Sequence, residues 1–423
     1  MAIIQILKKE GGVIVPINSG DTAWLLMSTT LVLLMTPALA FFYGGMVRKK
    51  NVLSTIMMSF VMIAMISVLW AFYGYSLSFG PDFMGMIGRL DWAGLINVGQ
   101  SPSTVYATTI PHLIFMMFQA TFAIITVALI TGAVVERIRF ISLLIFCIVW
   151  FTIVYCPVAH WVWGNGGWLA RLRVIDFAGG IVVHINAGFA ALAIAVVLGP
   201  RRGFKEKETM EPNNIPYVVL GTALLWFGWF GFNAGSALTA GGSAASALAA
   251  TNLAGASAAL TWMILGWANK RPSVLGVATG AVVGLATITP ASGFIQPIMA
   301  VPIGIIGAII SFYVMVWRNK ANRIDESLDV FACHGIGGIV GVVATGIFAT
   351  SSVAGKSGFI DGNGIQVLIQ VFAVIAIAAF SFGATWIIAK IIQLTMGLRV
   401  KEEEELVGLD ISQHGERAYG GLS

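Results

Sequence analysis

The sequence predicts an all-α polytopic membrane protein: eleven transmembrane helices, built as two inverted five-helix repeats plus a long tilted eleventh helix. Three observations predict it. The chain of 423 residues is 58% hydrophobic and only 10% charged, whereas soluble domains carry roughly a quarter charged residues. Its apolar runs recur at about 20 residues, the length that spans a bilayer as helix. Its Lys and Arg residues fall unevenly on alternate sides of those runs. In hydrocarbon every backbone polar group needs an internal partner, so the runs read as helices. A β-barrel would show alternating segments of about ten residues, and none appears.

The N-terminal run 1–7 is short for a signal peptide and is followed by Lys8, Lys9 and Glu10, so 1–20 reads as an extracytoplasmic segment. The membrane domain covers 21–398. Its spans lie near 22–46, 53–79, 106–132, 140–161, 178–199, 215–237, 243–268, 273–290, 297–317, 331–350 and 364–398, each set by where apolar periodicity starts and stops. The eleventh would reach about 50 Å, past a core of about 30 Å, and should tilt across the outside of the bundle. Residues 399–423 form a polar tail.

Seventeen basic residues fall on one side of these spans (Arg48, Lys49, Lys50, Arg137, Arg139, Arg201, Arg202, Lys205, Lys207, Lys270, Arg271, Arg318, Lys320, Arg323, Arg399, Lys401, Arg417) and six on the other (Lys8, Lys9, Arg89, Arg171, Arg173, Lys356). The richer side is cytoplasmic by the positive-inside rule. The N-terminus is therefore outside, the C-terminal tail is cytoplasmic, and the chain is a multi-pass protein of the cell membrane. The first ten spans divide into five plus five. Because five is odd, the second set enters from the opposite side, over about 21–200 and 215–350, the inverted arrangement of many transporters. One motif echoes between the halves: an Asp, then a His, in a Gly-rich span, at Asp176 with His184 and at Asp329 with His334. Gly276, Gly280 and Gly284, like Gly337 and Gly341, form small-residue stripes that read as close helix packing.

His184 and His334 stand in the middle of apolar spans, where a titratable side chain is a functional hypothesis; the alternative is a buried ring bonded to a neighbouring helix. Near a pseudo-two-fold axis the rings can hydrogen-bond to each other, one donating and one accepting. Asp176 reads as an N-cap of the fifth span, as a charge that favours a nearby cation, or as both. Asp329 reads as a cap. Aromatic residues crowd the third span (Phe118, Phe122), the sixth (Trp229, Phe232) and the end of the fourth (Trp163). Singly these are belt or core residues. Together they offer π-faces to a cation losing water, and the Ser236 hydroxyl adds an acceptor.

Cys147, Cys156 and Cys333 read as small buried hydrophobes. Cys147 and Cys156 lie about 13 Å apart along one helix, too far for a disulfide. Nothing in the spacing suggests a metal site or a cofactor. The basic residues are scattered over short loops, which argues against nucleic acid. There is no Walker loop or HExxH, no Arg-rich span and no TVGYG-like filter. An enzyme reading has no support.

These motifs together resemble the Amt branch of the Amt/Mep/Rh ammonium transporter family, from Asp21 to about Tyr419. The matching stretches are 41–51 (FFYGGMVRKKN), 176–188 (DFAGGIVVHINAG), 228–236 (GWFGFNAGS), 334–341 (HGIGGIVG), 397–400 (GLRV) and 408–416 (GLDISQHGE). The resemblance implies an outer recruitment cup of Trp163, Phe118 and Ser236, with Phe122 and Phe232 as a stacked gate below it. It implies twin pore histidines at His184 and His334, a pore-wall tryptophan at Trp229 and a vestibule aspartate at Asp176. It further implies ammonium as substrate with methylammonium as an analogue, a homotrimer in membrane lipid with one pore per subunit, and a C-terminal tail open to PII-type regulatory proteins. Trp163 and Ser236 distinguish it from Rh-like members. Two other classes stay open: an ammonium sensor, marked by binding without flux, and a neutral gas channel, marked by permeability without saturable cation recognition.

Overall fold

The computed structural model describes residues 16–269 and 271–420. Most of the predicted extracytoplasmic segment, with Lys8 and Lys9, and Lys270 on the opposite side, lie outside the described residues. Among the described residues the chain crosses as eleven helical passages. Ten are long and apolar enough to span a bilayer by themselves: α1 (Ser19–Met46), α2 (Lys49–Phe79), α3 (His112–Thr131), α4 (Phe140–Arg171), α5 (Gly180–Leu198), α6 (Ile215–Gly235), α7 (Gly242–Asn269), α9 (Pro297–Ala321), α10 (Phe331–Phe348) and α11 (Ile365–Thr395). The remaining passage, α8 (Val274–Ile288), is a shorter apolar helix of 15 residues. At 31 residues α11 reaches about 47 Å, and it is the least buried of the ten. Two short helices, α12 (Glu402–Val407) and α13 (Leu409–His414), follow. Between α2 and α3 two small antiparallel β-pairs, 82–83 with 87–88 and 102–103 with 107–111, stiffen a loop that the span reading left undivided.

The order of packing follows the five-plus-five division. The first helices of the two sets, α1 and α6, lie along each other, and the last helices, α5 and α10, cross. Small residues permit both contacts. A Cβ on Gly221 of α6 would strike the backbone of Ala38 and Phe42 in α1. A Cβ on Gly188 of α5 would strike the backbone of Gly335 in α10, so only glycine lets these helices touch beside the histidines. The stripe on α8 works as expected: Gly280 faces Trp262 and Ala258 of α7, and Gly284 faces Ala254 and Ala258. All three cysteines are buried and unpaired.

Both crossing helices begin with a π-helical turn, Gly180–Ile185 in α5 and Phe331–Ile336 in α10. Such turns insert one residue per turn and re-aim side chains, and they concentrate at functional sites. Each contains its histidine. The echo between the halves is therefore deeper than the motif suggested, but its acidic partner was misassigned. Asp329 does not cap α10. Its carboxylate pairs with Arg318, and its backbone is left-handed, φ +59°. The cap is Glu326, whose carboxylate accepts from Val330 N–H (3.0 Å) and Phe331 N–H (3.3 Å). Glu326 stands eight residues before His334, as Asp176 stands eight before His184.

Candidate functional site

A cavity of about 290 Å³ opens on the face where α4 is interrupted after Trp163. Its wall includes Phe122, Trp163, Asp176 and Ser236, together with Phe79, Tyr106, Phe115, Gln119 and Phe177. Trp163 stands edge-on to Phe122, with ring centroids 5.9 Å apart. The indole N–H of Trp163 donates to the Asp176 carbonyl at 3.0 Å, which sets the angle of its π-face. Ser236 Oγ donates its proton to the Phe232 carbonyl at 2.9 Å. Its lone pairs therefore remain for a donor in the cavity. Phe118 is fully buried behind this wall, 5.0 Å edge-on from Phe122, and does not line the cavity. Of the predicted cup residues, then, Trp163 and Ser236 face the vestibule, Phe122 forms its floor, and Phe118 supports Phe122.

The Asp176 carboxylate is engaged by the start of α5. Oδ1 accepts from Gly179 and Gly180 N–H (2.9 and 2.7 Å) and Oδ2 from Ile181 and Val182 N–H (2.7 and 3.3 Å). Four otherwise orphaned amides are satisfied by one side chain. Gly179, at φ +114°, makes the turn that allows it. The cap thus organises both the α5 entry and, through its carbonyl, Trp163. The negative charge stays close to the vestibule.

Below the floor, Phe122 and Phe232 stack with centroids 4.3 Å apart and planes at 33°. Each is about 1% exposed. Beyond the pair lies a narrow cavity of about 10 Å³, walled by Met35, Leu39, Ile125, Leu129, Leu225 and Val282 with His184, His334 and Trp229. That is room for about one water-sized molecule. His184 and His334 meet edge to edge through Nδ1 on each ring at 3.2 Å, with ring centroids 5.1 Å apart and planes at 24°. Trp229 stacks on His184 with ring centroids 5.5 Å apart and planes at 27°.

Thr289, one residue beyond α8, ties this group together, and sequence reasoning missed it. Its hydroxyl donates to the Leu285 carbonyl (2.8 Å) and accepts from Trp229 Nε1–H (2.9 Å). His184 Nε2 lies 3.3 Å from the same oxygen. With the Thr289 proton already committed, His184 Nε2 must be the donor. Its Nδ1 is then bare and accepts from His334 Nδ1–H, which leaves His334 Nε2 as a free acceptor. The tautomers follow from the hydrogen-bond directions. Gln119 was also missed. Its Oε1 is buried without a partner among the described residues, and its side chain lines the vestibule. An amide between Phe118 and Ala120 on an apolar helix was its one visible signal.

Comparison with known proteins identifies the family. The family model described as Ammonium Transporter Family matches residues 23–419. The chain is 50% identical over 403 residues to the ammonium transporter of Bacillus subtilis, covering 95% of this chain and 98% of that one. It is 48% identical to ammonium transporter Amt1 of Archaeoglobus fulgidus, over 95% of this chain and 100% of that one. Its fold matches the crystal structure of Candida albicans Mep2 with a TM-score of 0.88 and 37% identity, covering 95% of this chain and 91% of that chain. A family model over nearly the whole chain and relatives at about half identity show that the chain belongs to the ammonium transporter family.

Proposed function

We propose that this chain recruits ammonium in the vestibule, that its proton passes there to water and either returns outward or is relayed through the histidine pair, and that ammonia crosses the apolar cavity beside His184 and His334. The observation that carries the reading is the serial order: an aromatic and hydroxyl-lined vestibule, the stacked Phe122–Phe232 pair, then a cavity whose polar groups are the paired imidazoles. A cation in the vestibule meets the Trp163 and Phe122 faces, and each such contact is worth about 0.5–2 kcal/mol. It also meets the free lone pairs of Ser236. Farther in, desolvation disfavours the charged form of an amine. Ammonium escapes that penalty by losing a proton, and potassium does not. Inside, the free Nε2 of His334 accepts one N–H of ammonia while the pair stays neutral.

Phe122 and Phe232 act as the gate and Trp229 as the wall that holds His184. Asp176 acts as a positioning residue with a favourable charge. The division into repeats at about 21–200 and 215–350, the external N-terminus and the cytoplasmic tail are supported by the Lys and Arg distribution and by the matched π-helical turns. Family membership supports a homotrimer with one pore per subunit in the cell membrane, and acceptance of methylammonium. A role for the tail in PII-type regulation is supported by its docking on the cytoplasmic start of α2: Leu409 N–H donates to Asn51 Oδ1 and Ser54 N–H to Asp410 Oδ1, both at 2.8 Å.

The test is a rapid ammonium jump on liposomes fused to a solid-supported membrane, with potassium as control and a pH-sensitive dye in parallel. Saturable ammonium uptake without potassium uptake is expected, and the double variant His184→Ala with His334→Ala should lose it. Equal responses to both ions would overturn the selectivity argument. Saturable binding with no response in either assay would establish the sensor class instead.

A further inference from the structure

Immediately after Trp163, α4 is interrupted, and it resumes at Trp168. The hairpin 82–88 clasps the gap: Trp168 N–H donates to the Gly85 carbonyl at 3.1 Å, and Trp161 Nε1–H to the Met86 carbonyl at 2.7 Å. His160 lies at the centre of this clasp, fully buried and less than one helical turn before Trp163. Its Nδ1 is 3.0 Å from the Ser78 carbonyl near the end of α2, and its Nε2 is 2.9 Å from Asp82 Oδ1. A Cβ on Gly164 would press on the His160 ring, and one on Gly166, at φ +98°, on the Asp82 carboxyl, so only glycine turns this tightly over the pair.

Both oxygens can only accept. A carbonyl has no proton to give. Asp82 is held as a carboxylate, with Gly85 N–H donating to Oδ1 at 2.8 Å and Arg171 to Oδ2 at 2.7 Å. Burial would raise its pKa, but the hydrogen bonds from His160 and Gly85 and the charge of Arg171 outweigh it and hold it below the usual carboxylate range. A neutral imidazole has one N–H and cannot serve both oxygens; its bare nitrogen would set a lone pair against one of them. The other titratable groups nearby are engaged elsewhere. Arg89 pairs with Asp91, the Tyr75 hydroxyl bonds His112, and the Tyr106 hydroxyl bonds the Phe79 carbonyl and Asn165 N–H. Cys156, one turn earlier on α4, is buried.

We propose, building on the recruitment of ammonium in the vestibule, that His160 is a fixed imidazolium that positions Trp163: its two N–H bonds, one to α2 and one to the hairpin, hold the end of α4 and so the ring that faces the cation. Trp163 is then held twice, by its indole N–H on the Asp176 carbonyl and by its backbone through His160. With one proton fewer, either α2 or the hairpin comes loose from α4, and the π-face leaves its angle. His184 and His334 lie on other helices, so their cavity keeps its form.

The test begins with solid-state NMR of the full chain in lipid at neutral pH, using isotope-labelled histidine, with the His160 ring assigned through its contact with the Asp82 carboxyl carbon. Protons on both ring nitrogens are expected. A single proton overturns the proposal, whatever the chain transports. In Asp82→Asn the ring should keep one proton. Half-saturation in the ammonium jump should then rise about fivefold, the scale of one lost hydrogen bond to a charged group, with maximal flux held within about twofold. Asp82→Glu, which keeps a carboxylate, should retain both protons and near wild-type half-saturation, so the loss in Asp82→Asn is not a folding defect. In a Trp163→Leu background Asp82→Asn should add no further rise, because the ring it positions is gone. A further rise of the same size there, unchanged half-saturation in Asp82→Asn, or a loss confined to maximal flux overturns the positioning role. Two protons on the ring of a wild type with no saturable ammonium response would defeat the recruitment reading, and the positioning role with it, while the imidazolium stands.

Discussion

Thr289 has one proton, and it goes to the Leu285 carbonyl. Every other hydrogen bond in the pore group follows from that commitment, because Trp229 and His184 must then both donate. Thr289→Val keeps the shape and removes the acceptor. Two buried N–H groups lose their partner, each costing about 1–3 kcal/mol. The expected result is a lower melting temperature in detergent and a fall in ammonium flux of tenfold or more, about 1.4 kcal/mol, with Thr289→Ser restoring both. Ser236 makes a smaller contribution. Ser236→Ala removes one acceptor from the vestibule, worth about 1 kcal/mol, so half-saturation for ammonium should rise about fivefold with little change in maximal flux. Of these residues, His184, His334, Trp163 and Ser236 were legible in the sequence because a polar or aromatic side chain stands out in an apolar run. Thr289 was not legible. Threonines recur in these spans as groups bonded to their own helix, as at Thr126 and Thr251, and nothing local distinguishes the one that reaches a histidine on another helix. Phe118 was read as facing the cup because its spacing from Phe122 is one helical turn, and spacing alone does not say which of two stacked rings meets the cavity.

At the scale of helices, the crossing of α5 and α10 places the two imidazoles in contact. Gly188 sits against the Gly335 backbone at that crossing, so Gly188→Ala must spread the helices. Overpacking of this kind costs about 1–3 kcal/mol. The distance between the two Nδ1 atoms would grow beyond 3.2 Å, and ammonium flux should fall while vestibule binding, measured by tryptophan fluorescence, stays near wild type. Loss of both together would mean that the crossing holds the whole fold and not the pair. Nine of the eleven spans were readable to within about four residues, since lipid enforces one backbone solution for any long apolar run; the third begins at His112 and not at 106, because 107–111 pairs as a strand, and the fourth runs on to Arg171, past 161. The π-helical turns were not readable, because a single inserted residue leaves no trace in hydropathy. They also hid the true echo between the halves. Reading backward from each histidine by a fixed count finds Asp176 and Glu326, whereas seeking the same residue type finds Asp329, which serves Arg318 instead.

Across the molecule, charged loops on the face opposite the vestibule converge on Glu136, which is fully buried at a left-handed backbone position, φ +72°. Its carboxylate meets Arg48 at 3.1 Å and Arg201 at 2.9 Å and accepts from Asn51 Nδ2 at 3.1 Å. Asn51 in turn holds the tail at Leu409, and Arg201 holds Asp325. Burial alone would raise the Glu136 pKa, but the guanidinium groups of Arg201 and Arg48 outweigh it and draw it from 4.5 down to about 2. Because the folded value is the lower one, the stabilisation is fully present above about pH 4.5 and is lost as pH falls toward 2. A shift of that size corresponds to about 3 kcal/mol. Melting temperature in detergent should therefore stay level from neutral pH to about 5 and decline steeply below 4.5. Other carboxylates titrate in the same range, so the measurement that isolates this one is the difference between wild type and Glu136→Gln. The variant should be less stable at neutral pH, where Arg48 and Arg201 lose a charged partner, and the gap should close as acid protonates the wild-type carboxylate. A gap that stays constant down to pH 2 would mean that Glu136 holds the loops through shape and hydrogen bonding, with its charge contributing nothing.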